Sequence, residues 1–402
     1  MVADQDSLME GAQRLAPALV VEAADQFGNV ITTDRSKIIL STSTGNFTGT
    51  NSVTLSNGVG TFSAIVFKTA GTYTLLATPA SNSTLAVTTP ITFDQTITKA
   101  STVIPTPALK NGTYVFGAPL SISDTLTSNV PTSMVPFNST ASSPTLFIGD
   151  AGTAAASFST TGAAKFNVPI LDAGSYICSI AYPGDAGHAS ASSSTFTLVI
   201  NKAATTTTLA ASSSSLVFGQ LLTLTATVKA TKAIPGFTPQ GSVEFLDNGE
   251  PLHTLTLTGN STATWPLTPS ATGSHSFTAV YIASLDFNGS TSAAKKLTDA
   301  KDKSTIQIIA PAAGTPIAHN QTFSMSVHAS VIAPGGAPLT GGQVIINDNG
   351  KQIATVSLDS QGDATTLPLV YNTAGKHSFT AVFSGDADIL AATSSALKLT
   401  IT

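Results

Sequence analysis

The feature that most constrains this chain is a fourfold internal repeat whose period is about one small domain. The segments AGTYTL (70–75), AGSYIC (173–178), TGSHSF (272–277) and AGKHSF (374–379) place a glycine at Gly71, Gly174, Gly273 and Gly375, with spacings of 103, 99 and 102. Lys99, Lys202 and Lys303 give a second register, each preceding a stretch of small residues and Thr, at spacings of 103 and 101. Longer copies lie in the second half, where GSVEFLDNG (241–249) matches GQVIINDNG (342–350). VFG at 115–117 likewise returns at 217–219. A repeat must be found before single elements are read, because missing it misassigns the whole fold. Four units follow: 1–98, 99–202, 203–302 and 303–402.

Within each unit the period is two, the mark of a strand with one buried and one wet face. Leu222, Leu224, Ala226 and Val228 alternate with Thr223, Thr225 and Thr227, as Phe323, Met325, Val327 and Ala329 alternate with Ser324, Ser326 and His328. The DNG triplets at 247–249 and 348–350 supply residues that tolerate positive φ, so they read as tight hairpin turns. Sustained helical stripes with caps are missing. Short alternating strands with frequent turns, in units of about 100 residues, predict an all-β chain of serial two-sheet sandwiches, with a barrel as the second choice.

Composition removes several function classes. Seventeen Lys and Arg against 22 Asp and Glu give a net charge of −5, which offers no cationic surface to nucleic acid. Polar residues interrupt every apolar run well short of the 18 or more residues that span a bilayer as a helix. Cys178 is the only cysteine, so the chain forms no internal disulfide and no multi-cysteine metal site. The opening MVADQDSLME carries early acids and no apolar core, so no secretory signal is visible, and the expectation is that either the chain is not exported or its start is missing.

The segment LDAGSYICSI (171–180) resembles the sixth-strand pattern D-x-G-x-Y-x-C of the immunoglobulin fold, most closely the tandem bacterial Ig-like repeats of large surface and secreted proteins. The resemblance implies that Tyr176 makes a tyrosine corner and that position 178 faces the core. Its counterparts are Tyr73, His275 and His377 at the corner, where a ring nitrogen replaces the hydroxyl, and Leu75, Phe277 and Phe379 at the core slot. The first unit resembles the invasin and intimin-type subtype, through VVEAADQFGNVIT (20–32) and NGVGTF (57–62).

Chemistry-bearing residues are few. His275 and His377 are structural by register; His328 points outward, and His188, His253 and His319 lie near turns with no ligand spacing. Ser292 to Lys295 spells S-x-x-K, but on a strand where no helix aims the serine. Trp265, Leu367 and Phe166 each precede the unit's glycine by eight residues, and Phe62 precedes Gly71 by nine, which predicts a core position for all four. Asp299 and Asp302 near the third seam, with Asp386 and Asp388 in the last loop, are the only calcium candidates; the other seams do not repeat them, so they are expected to be solvated loop carboxylates. A Lys–Asn isopeptide bond is not expected, because Lys110 precedes Asn111 and Gly112 in an apparent turn. No catalytic, cofactor or metal residue is therefore assigned.

The resulting expectation is a non-catalytic stalk or spacer, extracellular or on the cell surface, monomeric or part of a longer chain. The alternative is an adhesin or carbohydrate- or receptor-binding module that uses loops of a terminal domain, with other surface proteins, a host receptor or a glycan as partners.

Overall fold

The computed structural model describes residues 2–4, 18–63, 65–81, 85, 91–109, 114–336, 339 and 341–402. The Lys110–Gly112 turn and most of the first 17 residues lie outside that set. Among the described residues the chain is all β, with one 3-10 turn at Gly149–Ala151, and no helix is long and apolar enough to cross a membrane. The chain divides into two compact units, Met1–Lys202 and Ala203–Thr402.

The third repeat shows the plan most clearly. Thr205–Ala211, Leu222–Ala230 and Thr262–Leu267 form one antiparallel sheet. The other orders Glu250–Thr256, Ser242–Asp247, Gly273–Tyr281 and Lys295–Ala300, with Ser215–Val217 added in parallel at its edge. The chain thus leaves the first sheet, builds a hairpin on the second, returns, and crosses again, which is the Greek-key path of an Ig-like sandwich. Strict alternation drives this: Leu222, Leu224, Ala226 and Val228 are buried while the threonines between them are not. The fourth repeat copies the plan. Its core joins Ile306, Val327 and Ala364 of one sheet to Val344, Ile346, Phe379, Phe383 and Ile401 of the other. Both repeats close their hairpin with positive φ at Asn248 and Gly249, and at Asn349 and Gly350. A register shift follows at the same place in each, Phe245/Leu246 and Ile346/Asn347.

The first unit departs in two ways. In the first repeat, Leu19–Glu22 pairs with Val59–Phe62 in one sheet, while Lys37–Thr42, Gly71–Pro79 and Ile91–Ile97 form most of the other. In the second repeat, Thr153–Phe158 pairs with both Thr145–Ile148 and Ala163–Val168, so the two sheets join along one path of six strands, with Phe196–Ile200 paired beside it on Gly174–Tyr182. Its opening strand pairs only at Thr102–Val103, since Pro105 and Pro107 have no N–H to continue a ladder. A groove of about 720 Å³ opens beside them, lined also by Asp124 and Phe158.

One register expectation fails. Phe62 and Phe166 are core residues and Trp265 is half-buried, but Leu367 is 84% exposed. Thr366 takes the inner place instead, exchanging hydrogen bonds with Met325: the Thr366 amide donates to the Met325 carbonyl at 2.9 Å, and the Met325 amide to Thr366 Oγ1 at 3.0 Å. Counting back from Gly375 is off by one residue here, and in a strand one residue reverses the face.

Candidate functional site

The polar residues that recur between repeats are occupied by the fold. At the corner position Tyr73 donates to the Thr69 carbonyl and Tyr176 to the Asp172 carbonyl, each at 2.9 Å, four residues back. His275 copies this with Nε2, 3.2 Å from the Ala271 carbonyl, while Nδ1 lies 2.6 Å from Asp247 Oδ2. His377 Nδ1 makes the same 2.6 Å contact with Asp348 Oδ2, which also accepts from Tyr371 at 3.0 Å. The imidazoles therefore pin the DNG hairpin to the sixth strand. A hollow of about 360 Å³ beside His275 is lined by Asn248, Ser274 and Lys296, but both ring nitrogens already face oxygen partners. Cys178 is buried in the same core slot as Leu75, Phe277 and Phe379, and burial pushes its thiol up, away from the reactive thiolate.

The S-x-x-K serine has an equally structural place. Ser292 Oγ accepts from the Ala279 amide at 3.0 Å, as Ser193 accepts from Ile180 and Ser394 from Ala381 at 2.9 Å. Trp265 packs between Phe245, at 5.6 Å between ring centroids, and His253, at 5.2 Å. His328 sits 2.8 Å from Asp363, and His319 caps the Thr402 carbonyl through its amide. His188, at the end of the 183–187 loop, is fully buried; it stacks on Phe137 at 4.1 Å and meets Asp185 Oδ1 at 3.0 Å.

The seam carboxylates are a correction. Asp386 does what Asp185 does in the second repeat, accepting the amides two and three residues on, from Asp388 and Ile389. Asp388 Oδ1 accepts both the Thr272 amide and its hydroxyl at 3.0 Å. Asp299 and Asp302, however, are not solvated, being 2% and 1% exposed. Asp302 Oδ1 accepts from the Lys303 amide, while its Oδ2 and both oxygens of Asp299 are buried without a hydrogen bond. Burial pushes the Asp299 carboxyl above the usual carboxylate range, with Asp388 adding to the rise and His275 opposing it. Among the described residues no three His, Cys, Asp or Glu side chains gather to hold a metal.

A signal for Asp299 was present in the sequence. Each repeat's glycine pairs across the sheet with the residue 26 positions later: Gly71 with Ile97, Gly174 with Ile200, Gly273 with Asp299 and Gly375 with Ile401. Three are buried isoleucines and one is a carboxylic acid. In the same way Asp124 stands where the other repeats bury Val21, Ala226 and Val327 against the facing strand, and burial raises its carboxyl.

No curated protein sequence matches the chain. Among solved structures, a tetra-tandem repeat in the extending region of a large adhesion protein is similar at 15% identity, covering 100% of this chain and 98% of that one, with a TM-score of 0.42. Invasin, a bacterial integrin-binding protein, is similar at 13% identity over 100% of this chain and 78% of its own, TM-score 0.36. The adhesin InvE of Yersinia pseudotuberculosis is similar at 16% identity over 49% and 58%, TM-score 0.26. The model of the bacterial Ig-like domain (group 3) matches residues 208–298 and 310–402.

Proposed function

We propose that the chain is a non-catalytic spacer of a bacterial cell-surface or secreted protein, built of four serial Ig-like sandwiches bounded at 98/99, 202/203 and 302/303. The observation that carries this reading is the recurrence of polar residues in structural roles. The corner Tyr or His, the loop aspartates and the serines at 193, 292 and 394 satisfy backbone groups or neighbouring strands. A site built for chemistry leaves its reactive group free to meet a substrate, with a base or oxyanion donors converging on it. Here Ser292 is a buried acceptor, the Cys178 thiol is buried, and the imidazoles of His275 and His377 are anchored on carboxylates. Short seams suit a spacer, since the last strand of one repeat runs almost directly into the next, as Phe196–Ile200 does before Thr205–Ala211.

The competing reading is a module that meets a host receptor, a glycan or another surface protein through loops of the first repeat. It is favoured by Phe27, 79% exposed on the 25–29 loop that Asp25 ties through the Phe27 and Asn29 amides, each at 2.9 Å. Binding of the immobilised full chain to matrix proteins and a glycan array separates the two. The spacer reading expects no saturable binding. Saturable binding that Phe27→Ala abolishes would replace it with the adhesin reading.

A further inference from the structure

The strand positions facing Gly71, Gly174 and Gly375 hold isoleucine in three repeats, and Asp299 is the exception facing Gly273. It alternates inward on Lys295–Ala300, next to buried Leu297, where its carboxyl meets no hydrogen-bond donor. Loss of a proton there creates a carboxylate with neither water nor a partner, the costliest way to bury a charge. The surroundings settle which species is tolerated. From the strand Gly273–Tyr281 comes His275, whose two nitrogens face Asp247 and the Ala271 carbonyl. From the last loop of the fourth repeat comes Asp388, held by Thr272. The parallel neighbour Ser215–Val217 brings no titratable group. Lys301, two residues along the chain, is directed to the Asp386 carbonyl at 2.6 Å.

Thr272 and Asp388 belong to different repeats within one compact unit, so their bond is a joint between the third and fourth repeats. Between the first and second repeats the corresponding hydrogen bond is backbone to backbone, the Ala70 amide donating to the Ala186 carbonyl at 2.8 Å, and there the buried position is Ile97.

We propose that Asp299 makes the joint between the third and fourth repeats proton-operated: the carboxyl is protonated when the joint is closed, and its ionisation, opposed by Asp388, loosens the Thr272–Asp388 contact. The reaction is a simple acid dissociation, with the proton passing to solvent as the joint opens and water reaches the carboxylate. The direction follows from linkage. Burial raises the Asp299 carboxyl in the closed form, so closure is strongest near and below the ordinary carboxyl value of about 3.9 and weakens as pH rises through the raised value. This inference does not depend on whether the chain acts as a spacer, and its test leaves that reading untouched.

The test is native-state hydrogen exchange of the full chain between about pH 4.5 and 8, expressed as protection relative to the free amide. The Thr272 amide should lose protection by up to about tenfold per pH unit in the window above the ordinary carboxyl value. The Ala70 amide, in the joint that has isoleucine, should show no such fall with rising pH. D299I should leave Thr272 protected across the range, and D299N, uncharged and nearly isosteric, is the second variant should isoleucine pack badly. These variants isolate the contribution of Asp299 from those of the other groups at the joint. Thr272 protection that stays level in the wild type, or falls equally in both variants, overturns the proposal. So does recovery of protection at pH 7.5 on adding millimolar calcium in place of chelator, which would assign the neutralising partner as a cation.

Discussion

Three side chains at one repeat position show how little a fold needs from a residue's identity once its task is fixed. Tyr73, Tyr176 and His275 all reach a carbonyl four residues back, with a phenol or a ring nitrogen. His275 and His377 both bond the hairpin aspartate through Nδ1, at 2.6 Å in each repeat. The substitution was legible in the sequence because the register around the glycine is rigid. The place of Leu367 was not, because the ladder from Ser326–Val331 to Asp363–Thr365 fixes Thr366 inward and leaves Leu367 outside it. This gives a contrast to measure by denaturant unfolding. Leu367→Asn should change stability by no more than about 0.5 kcal/mol, as for exposed sites generally. Phe166→Ala, at the fully buried counterpart in the second repeat, should cost about 3–5 kcal/mol.

Among elements, the hairpin was the most readable. Asp-Asn-Gly between alternating strands names its own turn, and Asn349 and Gly350 have φ of 45° and 80°. A β-branched residue pays heavily for that conformation. Gly350→Val should therefore destabilise the fourth repeat by about 1–3 kcal/mol, seen as a lower unfolding midpoint, with Gly350→Asn losing much less. The alternation of each strand was equally plain, but its partners were not. Nothing in the string around Thr153–Phe158 announces a strand that pairs with both sheets, and the prolines at 105 and 107 foretell a broken edge without foretelling the groove beside it. Buried acids were misread for a related reason. Carboxylates near seams are normally solvated, and only the constant 26-residue offset from the glycine reveals that Asp299 occupies an isoleucine's place.

For the whole molecule the central proposal is serial construction: four Ig-like sandwiches with short seams, acting as a spacer. Limited proteolysis of the purified full chain tests it most directly, because exposed seams are cut before packed strands. The account predicts early cleavage near 98/99, 202/203 and 302/303, leaving resistant fragments of whole repeats; early cuts spread through the strands would contradict it.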